Sequence, residues 1–181
     1  DNDYRRIGLV LNPFKFGTEE LADAITLSAS NAVIFSPDFT GSFNTDEIIT
    51  QTRTVGGQQV TARGRVVSWN SITKVLKFYQ KRVDGIFPEI TGNKVEFSGG
   101  NTIVGSGSGT SVDPDINFPV VPGEATRVIN NTEYDLGMSF TSGYAKPEVK
   151  KDSGKVIYID NRRAISRAGD QIEDIKIVVE F

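Results

Sequence analysis

Short runs in which apolar and polar residues alternate recur from one end of this chain to the other, each cut off by Gly, Pro, Asn or Asp. Period two is the spacing of a strand with one buried face, and turn residues at such short intervals leave little room for long helices. Residues 7–11, 32–35, 60–69, 74–79, 155–159 and 175–181 are predicted strands on this pattern. In the last of them Ile175, Ile177, Val179 and Phe181 share one face and Asp174, Lys176 and Glu180 the other, so the final residues are expected to be part of a sheet. One helix of two turns at most is predicted over 18–24, with Thr18 as N-cap and Glu19 and Glu20 in the first turn, where the macrodipole favours them. The expected class is mainly β.

With 38% hydrophobic and 24% charged side chains the composition is that of a globular fold. The length of 181 residues suits one domain, or a domain carrying a smaller one. No apolar run reaches the ~20 residues of a membrane span, and no signal peptide opens the chain. The chain opens on Asp1 rather than Met, from which a fragment or processed product of something longer is expected. It has no cysteine and no histidine, which removes disulfides, thiolate nucleophiles, Cys/His zinc sites and Ser-His-Asp triads together.

The net charge of −3 hides a segregation. Residues 1–52 carry three basic and eight acidic side chains (−5), residues 53–82 seven basic and none acidic (+7), residues 83–150 four and nine (−5), and residues 151–181 six of each. The basic island reads as a hairpin: Val60, Ala62, Gly64 and Val66 share one face of its first strand, Leu76 and Phe78 one face of its second, and residues 70–73 supply the turn. Arg63, Arg65, Lys77 and Lys81 fall on the opposite faces. Gly64 is the expected site of a bulge that curls the sheet. After residue 95 a glycine-serine stretch is expected to be a flexible surface loop, and residues 113–122 to be extended. The resulting organisation is an antiparallel β-sandwich host made from residues 1–52 and 123–181, with residues 53–122 inserted as a small β-barrel-like module. Neither flank alone has enough strands to bury a sheet, so the host must close through segments distant in sequence.

Few residues suggest a reaction. The run Gly105 to Gly109 lacks the Lys and Ser or Thr that a Walker loop needs after its last glycine, which leaves a loop rather than a phosphate cradle. Asp113, Asp115 and Asn117 are spaced like part of a calcium loop, but the glycine and distal glutamate are missing and Pro114 interrupts them, so a turn is expected. No cofactor or metal is expected. The basic hairpin, with Trp69, Phe78 and Tyr79 among its cations, has the ingredients of a single-stranded nucleic-acid platform. The overall acidic balance argues against a general nucleic-acid binder, and complementarity with acidic surface, either the chain's own flanks or a neighbouring subunit, is the favoured role. Residues 161–167 read either as a connector whose arginines pair with Asp160, Asp170 and Glu173 or as a docking loop. The candidate interface residues are therefore Arg63, Arg65, Lys77, Lys81, Arg82, Arg162 and Arg163.

One stretch is recognisable. Gly154, Ile157, Tyr158, Asp160, Asn161, Arg162, Ile165, Asp170, Gln171, Glu173 and Ile175 follow the pattern Gly-x-x-Ile-Tyr-x-[Glu/Asp]-Asn-Arg, an apolar segment, then Asp-Gln-x-Glu-x-Ile. This resembles the C-terminal signature of a baseplate wedge protein of T-even-like contractile-tailed bacteriophages. The run from Tyr4 to Asn12-Pro13 is similar to that family's strand ending in Asn-Pro. Together the matches cover about a quarter of the chain. The resemblance implies a β-rich, dimeric, non-enzymatic virion protein of the tail baseplate, assembled in the host cytoplasm, whose partners are other wedge proteins and not a membrane. Two readings of other classes stand beside it: the nucleic-acid module of residues 53–82, and a carboxylate glycan hydrolase or glycan-binding tail protein, whose paired carboxylates can be remote in sequence.

Overall fold

The computed structural model describes residues 6–22, 28–80, 95–150 and 153–161. Among them lie eleven strands and no helix: β1 (Arg6–Leu11), β2 (Asn31–Ile34), β3 (Ile48–Val55), β4 (Gln58–Asn70), β5 (Val75–Tyr79), β6 (Ile103–Gly105), β7 (Ser111–Val112), β8 (Thr126–Ile129), β9 (Thr132–Asp135), β10 (Tyr144–Ala145) and β11 (Lys155–Asn161). The fold is mainly β, antiparallel and sandwich-like. The predicted strand over 175–181 lies outside the described residues. So does the end of the predicted helix, and its described part is not helical. There Leu21 bridges Phe14, and the Thr18 hydroxyl accepts the Glu20 N–H. A segment this short cannot repay the cost of helix nucleation without a packed face.

Seven strands form one sheet in the order β10-β2-β5-β4-β3-β6-β7. The β4–β5 hairpin is present, joined through residues 71–74, and it occupies the middle of this sheet. Residues 53–122 therefore share a sheet with β2 and β10 from the flanks, and the expected boundary at residue 53 falls inside β3. The sheet curls until segments from its two halves meet. Phe35 bridges Pro114, and Gln51 of β3 donates to the Tyr144 hydroxyl of β10, yet the described strands close no barrel.

Both faces of the sheet centre are buried. On one, Val33, Ile49, Val60, Ala62, Val66, Leu76, Phe78 and Ile103 pack with Phe35, Phe43, Val95 and Phe97. On the other, Ala32, Ile34 and Val75 pack under Leu136, Met138, Phe140 and Ala145. Among the described residues this second cluster packs on β2 and β5 and includes no residue of β4. The register irregularity of the hairpin falls between Val66 and Ser68, not at Gly64. Gly64 is required for another reason: a Cβ there would lie 2.7 Å from the Phe78 ring and 3.2 Å from that of Phe97.

Two expected loops are more ordered than their composition suggests. Residues 105–110 close the β6–β7 hairpin around Glu47, whose carboxylate accepts the N–H groups of Asn44 (2.8 Å), Gly107 (2.8 Å) and Ser108 (2.7 Å). The backbone donors that suggested a phosphate cradle are satisfied by an internal anion. Residues 115–124 turn rather than extend, with Phe118 N–H donating to the Asp115 carbonyl and Glu124 N–H to that of Val121.

Arg127 holds the two layers together. It is 6% exposed, and its guanidinium donates to the carbonyls of Phe35 (2.7 Å) and Thr73 (3.2 Å) and to the Asp115 carboxylate (2.8 Å), while lying 5.0 Å from the Phe118 ring centre. Burial pushes its pKa down, and the charge of Asp115 pushes it back up. Asp113 instead accepts the Thr102 hydroxyl, so the two aspartates of the supposed calcium spacing serve different partners.

Candidate functional site: an apolar ribbon and a basic strip

The described parts of the two segments that carry the resemblance, residues 6–13 and 154–161, meet in space. β1 pairs antiparallel with β11, from Arg6 opposite Asn161 to Leu11 opposite Lys155, as a two-stranded sheet apart from the main one. Two local devices set its base. Asn12 takes a left-handed φ of 50° before Pro13, a conformation that asparagine tolerates better than most residues. Gly154 has φ 80°, and a Cβ there would come within 2.8 Å of the Leu11 carbonyl oxygen. Ser153 accepts the Phe14 N–H and donates to the Lys150 carbonyl, tying the strand start to the body.

The ribbon is unusual in what it shows to solvent. Leu9, Val10 and Leu11 on one strand and Val156, Ile157, Tyr158 and Ile159 on the other are each between 46% and 66% exposed. Neither strand packs on any other described strand. Scattered single apolar residues on a surface need no explanation, but a contiguous set on both faces of a ribbon is the mark of an interaction surface.

The second feature is the outer face of β4 and β5. Arg63, Arg65 and Lys77 all lie there, as the alternation predicts, and Tyr79 stands opposite Arg65. Arg63 is exposed; Arg65 is half-buried and donates to the Asp46 carbonyl at 2.7 Å. Lys77 is half-buried beside a cleft of ≈ 350 Å³ lined by Ser68, Asn70, Thr73, Val75, Asp135, Leu136 and Gly137. This cleft lies between the covering layer, at Asp135, Leu136 and Gly137, and the ends of β4 and β5. Lys81, Arg82, Arg162 and Arg163 lie outside the described residues.

The aromatic side chains expected beside these cations divide between faces. Trp69 packs against Phe35, Phe39 and Phe43 with ring centres 5.5 to 6.0 Å apart, and Phe78 is buried against Phe97. Only Tyr79 of the three shares the face of Arg63, Arg65 and Lys77. The cleft carries a single carboxylate, Asp135. Sequence reasoning missed the cleft because Asp135, Leu136 and Gly137 are brought to Lys77 by the covering layer, and no local pattern connects them. It missed the ribbon's exposure too, since its apolar runs look like any buried strand. Comparison with protein families, with curated proteins and with solved structures found no match to this chain.

Proposed function

We propose that this chain is a structural component of a contractile-tailed phage baseplate wedge. It acts through protein–protein interfaces in wedge assembly and in the rearrangement of the baseplate at the host surface. The observation that carries the reading is the β1–β11 ribbon: the segments resembling the wedge protein pair with each other, and their apolar side chains are exposed among the described residues. An obligate assembly subunit needs such a surface, whereas an enzyme or a free-standing monomer pays for it in solubility. Of the residues of the resemblance, Asn12 and Gly154 are explained by turn geometry, so those two letters follow a backbone requirement.

The test is reconstitution. The full-length protein, mixed with isolated baseplate wedge components, is expected to enter a stable complex in sedimentation. The double variant Leu9→Ser/Tyr158→Ser, which alters a cross-strand pair of exposed residues, is expected to stay folded and to lose that complex. Failure of the unaltered protein to associate would refute the proposal, and equal association of the double variant would remove the ribbon from it.

A further inference from the structure

Ser68, Asn70, Thr73, Lys77 and Asp135 border the cleft between the β4–β5 turn and the segment that follows β9. Thr73 is only 5% exposed, yet its hydroxyl has no hydrogen-bond partner among the described residues, and the atom is not sealed from solvent. A hydroxyl withdrawn from bulk water and left unpaired costs stability unless something in the space it borders bonds to it. Asn70 accepts the N–H groups of Ile72 (2.9 Å) and Thr73 (3.0 Å) through Oδ1, which fixes the orientation of its amide and leaves the two Nδ2 hydrogens to give. Ser68 stands across from Lys77 in the strand register, and its hydroxyl too has no partner among the described residues.

The two charges of the cleft do not meet. Lys77 Nζ lies 3.6 Å from where a Cβ on Gly137 would stand, and one oxygen of Asp135 accepts the Gly137 N–H at 2.7 Å. Ammonium and carboxylate therefore flank the same residue without forming an ion pair, and each keeps unused bonding capacity at the cleft. The surrounding backbone is already fixed. Arg127 donates to the Thr73 carbonyl (3.2 Å), the Lys74 N–H closes the turn on the Asn70 carbonyl (2.9 Å), and the Leu136 N–H donates to the Ala125 carbonyl (2.8 Å).

We infer that this cleft is a binding site for one neutral sugar residue. The charges of Lys77 and Asp135 cancel across the lining, so an anion would meet Asp135 unpaired and a cation would meet Lys77 unpaired. A hydroxyl group can accept from Lys77 and donate to Asp135 at once, and neighbouring hydroxyls on a ring serve Asn70, Ser68 and Thr73 in the same way. Val75 and Leu136, 4% and 5% exposed, supply an apolar wall for the C–H face of the ring. The volume of ≈ 350 Å³ is at the low end of the roughly 300–1,000 Å³ of ligand pockets, which suits a single ring. The site is on the main sheet, apart from the β1–β11 ribbon, and stands whether or not the ribbon binds a wedge protein.

The probes are glucose, galactose, mannose and N-acetylglucosamine, each titrated into the full chain with amide chemical shifts as the readout. At least one is expected to saturate in the millimolar range, with shifts confined to residues 68–77 and 135–137. Asp135→Asn keeps an acceptor for the Gly137 N–H but replaces the other oxygen by a donor, and Lys77→Met keeps the aliphatic stem without the charge. Each should weaken binding by about tenfold or more, the effect of losing a hydrogen bond to a charged group. On the unaltered protein, a deoxy analogue of the bound sugar lacking one ring hydroxyl should bind more weakly for at least one position. Lys146→Met alters an exposed lysine that pairs with Glu96, and should leave binding unchanged. The proposal is overturned if no sugar in the panel binds, if both cleft variants bind normally, or if every deoxy analogue binds as well as its parent. It is also overturned if glycerol at the same hydroxyl concentration produces the same shifts, or if acetate or glycine binds more tightly than every sugar.

Discussion

Replacing Arg127 by Met removes a charged side chain that reaches from the covering layer into the sheet. The substitution keeps most of the side-chain volume, so packing changes little and the loss is that of the polar contacts. It leaves the Phe35 and Thr73 carbonyls without the donor they have now, and it strands the Asp115 carboxylate, whose side chain is 22% exposed. Removing one partner of a buried pair costs about 3–5 kcal/mol, and the partial exposure of Asp115 places this case toward the lower end. Against a typical total of about 5–15 kcal/mol, that is a large share of the stability. Urea unfolding followed by Trp69 fluorescence should show a lower midpoint with an unchanged slope. Adding Asp115→Asn to Arg127→Met should recover part of the loss, because no stranded charge then remains. A cost below about 1 kcal/mol for Arg127→Met would refute the reasoning, since that is the scale of exposed pairs.

Glu47 provides a pH test. Burial alone would raise its pKa, but hydrogen bonds from Ser108, Asn44 and Gly107 outweigh burial and hold it below the ordinary 4.5. Because the folded value is the lower one, its stabilisation is complete above the unfolded value near 4.5 and disappears as pH falls through the folded value. Thermal melts of Glu47→Gln should therefore differ from those of the parent at neutral pH and converge with them in acid. Gly64→Ala forces a methyl against the rings of Phe78 and Phe97 and should cost about 1–3 kcal/mol in chemical unfolding, the usual range for overpacking. Gln51→Leu leaves the Ser98 N–H and the Asn101 carbonyl without their side-chain partner, for a loss of about 1–3 kcal/mol for each orphaned group, again read from denaturant midpoints.

How far the sequence could be read depended on which residues faced inward. β4 and β5 were legible because Val60, Ala62, Val66, Leu76 and Phe78 make the buried face apolar and the cations make the other face polar. β3 was missed, although it is the longest strand after β4, because the inward positions of its alternation include Gln51 as well as Ile49. Gln51 is fully buried, and only the tertiary contacts with Asn101, Tyr144 and Ser98 make that tolerable. The hairpin of β8 and β9 turns at Asn130 and Asn131, both with positive φ, but its flanking alternation is too weak to be read. Of the candidate interface residues, alternation placed Arg63, Arg65 and Lys77 on one face, and it could not show that Lys77 adjoins a cleft.

The amino-acid order by itself determined the class, the central hairpin and the face of the basic strip, because strand periodicity is a local property that two neighbouring residues already express. It also excluded thiol and imidazole chemistry, by composition. Only the tertiary structure decided that the central stretch shares a sheet with its flanks, that Glu47 fills the glycine-rich turn, and that β1 and β11 pair as a ribbon with exposed apolar side chains among the described residues. Those outcomes rest on contacts between residues tens to more than a hundred positions apart, and no local pattern carries the energy of such a contact.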